Sequence, residues 1–340
     1  MTVHLPQLTS SEIACIWTAY MNDSMSKCVM GYFLNVVDDE DIRPIIQSAY
    51  NLSSAHLEKL NILYKEEDLP LPTGFTDSDV NLHAPRLYTD PFMLSYIAHM
   101  AKVGLLAYGG FVSMCARKDL KTYFMEGLRE ISDLFDNSTD VLLSKGLFIR
   151  APYIPYPTKT DYVDSKKYLS GYSIFSKQRS LNAVEIAHLY MNGLTNQIGS
   201  KLSLSFAQTS ANKTIQKWML RGRDISQKHM KIFADALISN DIQAPVSADV
   251  SITDSTIPPF SDKLVMYHMA LLSAAGTGNY ATSAAASQRT DLILNYERLS
   301  LEVALYAKDG ADIMIKNKWM EQPPETLDKE KLTKNKEKYK

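Results

Sequence analysis

Cysteine is scarce: Cys15, Cys28 and Cys115 are the only three in 340 residues, and no two stand at the short spacing of a metal-binding pair. Cys15 and Cys28 fall on one helical stretch, about 20 Å apart at 1.5 Å per residue. This spacing argues against a disulfide framework and points to a reducing compartment. Net charge is nearly absent too, with 36 Lys and Arg against 38 Asp and Glu, a balance of −2. No global field therefore marks the chain as a binder of nucleic acid or of an acidic ligand. The most apolar run, 103–116, is too short to span a bilayer. The opening MTVHLPQLTS lacks a charged-then-apolar leader. The expectation from these absences is a cytoplasmic protein with no membrane span and no nucleic-acid partner. Nucleotide loops are missing as well, because Gly276-Thr-Gly278 falls inside a helical pattern rather than after a strand.

What the chain does have is a duplication. LTSSEIACIW at 8–17 returns as LNAVEIAHLY at 181–190. A shift of 173 holds through Phe33/Phe206, His56/His229, Asp68/Asp241 and Pro85/Pro258, then drops to 172 through Asp90/Asp262, Tyr108/Tyr280, Arg117/Arg289, Glu130/Glu302 and Pro152/Pro324. That period is far too long for a solenoid, so each copy is expected to be a domain with its own core. At 45% hydrophobic residues, each half can fill one.

Four helices are expected per copy. The first starts on a capping box, Thr9-x-x-Glu12, rebuilt as Asn182-x-x-Glu185. The second follows 38–41, tolerates Pro44 in its first turn and ends near Asp68, with the matching end near Asp241. A Pro-rich connection comes next, 69–88 and its copy 242–260. So long a loop needs a geometric reason. A crossover supplies it: to join parallel helices the loop must climb the bundle, about 40 Å for a helix of about 27 residues. The third helix opens at Asp90-Pro91 and at Ser261-Asp262 and is apolar nearly all round, which predicts burial on two sides, against its own core and another bundle in cis or in a dimer. Gly104 and Gly276 are the expected points of close approach. The fourth starts at Asp119 and Asp291 and ends before Pro152 and Pro324.

Short, long and short connections between four helices define the ferritin-like path. The expected fold is all-α, two tandem ferritin-like four-helix bundles at 1–152 and 181–324. Between them 153–180 reads as a Tyr- and Pro-rich linker, whose tyrosines 153, 156, 162, 168 and 172 suggest packing onto a bundle. The charged tail 325–340 is expected to be disordered.

With its capped EIA start, Pro-rich crossover and Asp-Pro opening, the pattern resembles a group of uncharacterised proteins of spore-forming bacteria that look like tandem ferritin-like bundles. Some of their relatives are labelled spore-coat proteins. The resemblance covers 8–324, implies the ferritin-like fold, and adds spore association as an expected location. Function follows from it only loosely, because one fold hosts many jobs.

Ferritin-like di-metal sites take a Glu from each of two helices and Glu-x-x-His from each of the other two. Only one such motif exists here, Glu185-Ile-Ala-His188, and its counterpart is Glu12-Ile-Ala-Cys15. Glu12 and Glu185 are accounted for by capping, and His56 and His229 by hydrogen bonds to neighbouring groups in the core. The sharper alternative uses the second copy alone: counting levels along the helices places His188, His229, Glu297 and Glu185 near one height, a ligand set suited to Zn, Fe or Mn. The first copy offers Cys15, His56, Tyr108 and Met125, a poorer set. Cys15 with His56 as a nucleophilic pair lacks an orienting third group. His99 shares a polar stripe with Ser95 and Lys102, for which exposure is expected. His268 aligns with Tyr96, too near the other end to join His229.

The expected function is a non-catalytic structural or interaction protein that binds itself or other coat-type proteins through the apolar third helices, without a cofactor. The alternative is a metalloprotein using the second copy. A third reading is a binder of an apolar small molecule in a bundle core, which the 15 methionines and many aromatics permit.

Overall fold

The computed structural model describes residues 6–171, 178–245 and 251–334, and among them every regular element is helical. The first copy forms α1 (Ser10–Val36), α2 (Arg43–Glu66), α3 (Asp90–Met114) and α4 (Lys118–Ser144). The second forms α5 (Ala183–Thr209), α6 (Lys213–Ile238), α7 (Asp262–Ala286) and α8 (Thr290–Lys316). A short α9 (Lys329–Lys334) lies in the tail expected to be disordered. Both capping boxes form: the Thr9 and Asn182 side chains accept from the backbone N–H groups of Glu12 and Glu185, whose carboxylates return to the cap.

Hydrogen bonds trace the path of the chain. Asp90, opening α3, accepts from the Asp39 backbone N–H at 3.0 Å, so α3 starts where α2 starts. Lys145, just past α4, reaches Asp39 and Asp41 at the same end. At the other end Glu12 of α1 accepts from the Arg117 N–H at 2.7 Å, and the Arg117 side chain meets Glu67 past α2 at 2.6 Å. Helix α1 therefore runs up, α2 down, α3 down after a crossover, and α4 up. In the second copy Asp262 of α7 bonds Ser210, and Glu185 accepts from the Arg289 N–H, the same arrangement.

Helix ends repeat as closely. Asp68 and Asp241 take left-handed φ of 53° and 60°, and a residue further on the chain bonds back from Leu69 to Tyr64 and from Ile242 to Leu237. This is the Schellman ending. It recurs after α4 and α8, where Gly146 (φ 67°) and Lys318 (φ 57°) hold the same position.

The two copies do not keep wholly separate cores. One cluster around Cys15, Leu60 and Phe124 belongs to the first copy and one around Leu189, Phe233 and Tyr296 to the second, but the largest joins both through Phe33, Tyr88, Tyr96, Phe206 and Phe260. The crossover loops make the join. Asn81 N–H donates to the Pro259 carbonyl at 2.8 Å, and Thr253 N–H, with both partners offset by 172, donates to the Leu87 carbonyl at 2.9 Å. Ser261 N–H donates to Asp79 at 2.9 Å, and Thr89 to Ser251 at 3.1 Å. Each bond thus appears twice, related by a two-fold operation between the copies. That is what the long loops do beyond spanning the bundle: they pair the halves.

The side chains obey the same symmetry. Tyr32 of α1 packs edge-on to Phe260 at 5.3 Å, and its counterpart Ser205 shares a 2.7 Å hydrogen bond with the counterpart of Phe260, Tyr88. The second neighbour of the apolar third helix is therefore the other copy, in cis. Helix α3 is long and apolar enough by length and composition to cross a membrane, but the buried side chains Phe92, Met93, Leu94, Tyr96 and Ile97 place its first half in this shared core. The glycines play a different part from that expected: a Cβ on Gly104 would meet Ile131 of α4 at 3.2 Å, and Gly276 faces open space.

The linker also departs from expectation. Tyr153, Tyr156 and Tyr162 are 85–92% exposed, so they pack onto nothing. Tyr168 does dock, with Arg179 stacked 4.0 Å over its ring and its hydroxyl donating to Gln288 at 3.1 Å. Tyr172 lies outside the described residues.

Candidate functional site

Helices α2 and α6 each turn one histidine into their own group of helices. His56 is 1% exposed and His229 fully buried. The His56 Nδ1 lies 3.0 Å from the Tyr108 hydroxyl of α3, and Nε2 lies 2.9 Å from Glu130 of α4. In the second copy Nδ1 of His229 is 2.9 Å from the Tyr280 hydroxyl, and Nε2 is 3.1 Å from Glu302. Histidine, tyrosine and glutamate are thus kept together in both copies.

The fourth member differs, and the difference sets the proton. Asp23 accepts from the Tyr108 hydroxyl at 3.2 Å and lies 3.4 Å from His56 Nδ1. With carboxylates beyond both ring nitrogens, the protonated ring finds an acceptor at each nitrogen. Burial opposes the charge on His56, but Asp23 and then Glu130 outweigh it and raise its pKa above the ordinary 6.5. Asn196 replaces Asp23 in the second copy, and its amide donates to the Tyr280 oxygen at 2.8 Å. The phenol proton of Tyr280 then points at Nδ1, which must accept it. His229 accordingly has its pKa lowered, by burial first, with Glu302 opposing.

A cavity of about 120 Å³ opens beside the first site, lined by Asp23, Ser53, His56, Met100 and Tyr108 among others. Being polar on one side, it can hold water. Close packing fixes the tyrosine: a Cβ on Gly127 would lie 2.5 Å from the Tyr108 ring. Chemically, the cluster can hold a proton in one copy and refuse it in the other.

The chain matches the model of a family described as protein of unknown function (DUF3231), twice, over residues 1–160 and 170–332. It belongs to the DUF3231 family. The two matches coincide with the duplication, so both histidine sites lie within DUF3231 units. No curated protein matches the chain. The crystal structure of a putative spore coat protein from Bacillus halodurans C-125 is similar at 20% identity, covering 46% of this chain and 98% of that one, with a TM-score of 0.38.

Within this DUF3231 chain the residues proposed from sequence go separate ways. Glu185 is fully buried; it accepts from the backbone of Asn182, Gln288 and Arg289 and pairs with Arg179 at 2.6 Å. Its pKa is lowered, burial being outweighed by Arg179 and these N–H groups. His188 is half-buried and contacts Ser283 at 3.0 Å. His229 meets α7 one turn away, at Tyr280, and takes Glu302 rather than Glu297, which is exposed. Cys15 sits with Cys115, its thiol pKa raised by burial, so it does not present a ready thiolate.

These residues do not fit a ferritin-type di-metal centre. Asp23 and Glu130 address opposite edges of one imidazole, and Glu12 and Glu185 are occupied by backbone N–H groups. Among the described residues no three His, Cys, Asp or Glu side chains converge on one point. Sequence reasoning missed Glu130, Glu302, Asp23 and Asn196. Glu130 and Glu302 were visible as a pair kept by both copies.

Proposed function

We propose that this chain is a non-catalytic structural or interaction protein, two ferritin-like four-helix bundles fused about a common core, working in the cytoplasm or with the spore. The observation that carries it is the use of the polar groups at both histidine sites. Each ring nitrogen of His56 and His229 already faces a side chain of the same chain. Such a cluster fixes helix register rather than turning over a substrate.

Self-association, or association with coat-type proteins, would use what the shared core leaves of α3. Leu106 is 65% exposed and Met114 49%, on the half of the helix that the other copy does not cover. The test is size-exclusion chromatography with light scattering across a concentration series. An assembly larger than one chain that Leu106→Glu dissolves supports this reading. A monomer at every concentration overturns self-association.

A further inference from the structure

One stripe interrupts the apolar surface of α3: Ser95, His99 and Lys102, one turn apart. Against expectation this stripe is not simply exposed. His99 is only 8% exposed. All three side chains line a cleft of about 530 Å³ where α3 and the end of α4 face α5 of the other copy. Its remaining wall is largely apolar, including Phe92, Phe135, Phe148, Met191, Leu194 and Ile198. The volume lies in the range of small-molecule sites, which combine apolar walls with a few polar groups.

Ser95 is satisfied, its hydroxyl donating to the Pro91 carbonyl at 2.8 Å; the two nitrogen groups of the stripe are less well served. Lys102 donates to the Thr195 hydroxyl at a long 3.4 Å, and among the described residues no carboxylate pairs with it. Burial pushes its pKa down to about 8. His99 makes no hydrogen bond among the described residues. Lys102 is half-buried with one long hydroxyl contact, and the His99 ring opens onto the same cleft, so both groups can still take an acceptor there.

The duplication provides the control. At the matching positions of α7 stand Tyr267, Leu271 and Ala274. There the Tyr267 ring packs at 5.1 Å on Phe75, and its hydroxyl donates to Asn22 at 2.9 Å. The fold is built without the polar stripe in one copy, so the stripe in the other is not required by the fold.

We propose that this cleft binds an aliphatic carboxylate, its chain along the apolar wall and its head between the Lys102 ammonium and the His99 imidazole. A carboxylate can accept from both the Lys102 ammonium and the His99 ring N–H, and a charge-assisted hydrogen bond is the strong kind. An alkyl chain takes the apolar wall out of contact with water.

The experiment is a calorimetric titration of the full chain with dodecanoate, alongside dodecyltrimethylammonium and dodecanol. One dodecanoate per chain is expected, bound about tenfold or more tightly than the cation or the alcohol. Lys102→Met should weaken dodecanoate about tenfold or more while leaving the thermal midpoint equal or higher, since it removes a desolvated charge. Ala187→Trp, at the exposed mouth, should weaken it without touching the head site. Absence of dodecanoate binding, equal binding of the cationic amphiphile, or unchanged affinity in a folded Lys102→Met variant would each overturn the proposal.

Discussion

The Tyr96 hydroxyl meets Nε2 of His268 at 3.0 Å, and these are the same position of the two repeats. Both are almost fully buried, Tyr96 at 2% and His268 at 1% exposed. A residue that contacts its own counterpart must lie on the two-fold axis relating the copies. Two tyrosines there would place like beside like; the histidine supplies a ring nitrogen for the hydroxyl.

Tyr96→Phe is expected to cost about 1–3 kcal/mol, because it strands a buried ring nitrogen. Among the described residues His268 Nδ1 already has no partner. The doubly substituted Tyr96→Phe/His268→Phe chain should recover part of that loss. Urea denaturation of the four variants measures the coupling; a coupling energy near zero would show the hydrogen bond contributes nothing across the axis.

Acid should unfold the protein through the same region. Burial pushes His268 down to about 3 from 6.5, and His99 likewise, with Lys102 adding to the burial there. A depressed histidine contributes stability that is complete above 6.5 and lost as pH falls toward the folded value. At pH 5 each should therefore have cost roughly 2 kcal/mol relative to pH 7. Glu12 acts lower: burial would raise it, but N–H donors from Thr9, Arg117 and Ala116 hold it at about 2, so its contribution fades only from about 4.5 downward. Stability measured at pH 7, 6 and 5 in His268→Phe should fall less steeply than in the parent chain. Equal slopes would mean that His268 is not held neutral.

A one-residue comparison inside the chain predicts a stabilising change. Lys318 occupies the left-handed position after α8 that Gly146 occupies after α4. A side chain in that conformation costs about 1–2 kcal/mol, partly offset by the greater freedom glycine has in the unfolded chain. Lys318→Gly should gain about 0.5–1 kcal/mol, and Gly146→Lys should lose a similar amount. If denaturation midpoints do not separate in that order, the helix ends are not equally tight.

Much of the fold was legible because its signals are local. Thr9-x-x-Glu12, Asn182-x-x-Glu185, Asp90-Pro91 and the Pro-rich crossovers each mark an element end by backbone chemistry, and each end fell where the pattern placed it. The pairing of the crossover loops was not legible. Val80 with Phe260 and Tyr88 with Ile252 meet through backbone bridges, which leave no periodicity in the side chains. The site was half legible for a related reason. Helical level counting placed His229 level with α8, but it could not tell which face of α8 turns inward, so it chose Glu297 where Glu302 stands. His99 was misread because a polar stripe looks the same facing solvent or a cleft.

The two histidine sites differ chiefly by one atom pair, Asp23 against Asn196, and that difference can be exchanged. Asp23→Asn removes the acceptor beyond Tyr108 and installs a donor, so the phenol proton should turn toward His56 Nδ1 as in the second copy. A neighbouring carboxylate moves a buried group by about 1–3 units, so His56 should drop from above its ordinary 6.5 to below it. Asn196→Asp should do the reverse to His229. The signs also separate in stability. A raised His56 stabilises the parent chain below 6.5, and that contribution disappears as pH rises through the folded value; Asp23→Asn should remove it. Histidine NMR titration of the parent and both exchanges reads the change directly. If His56 in Asp23→Asn still titrates above 6.5, Glu130 alone holds the proton and the Asp23 carboxylate is only a partner of Tyr108.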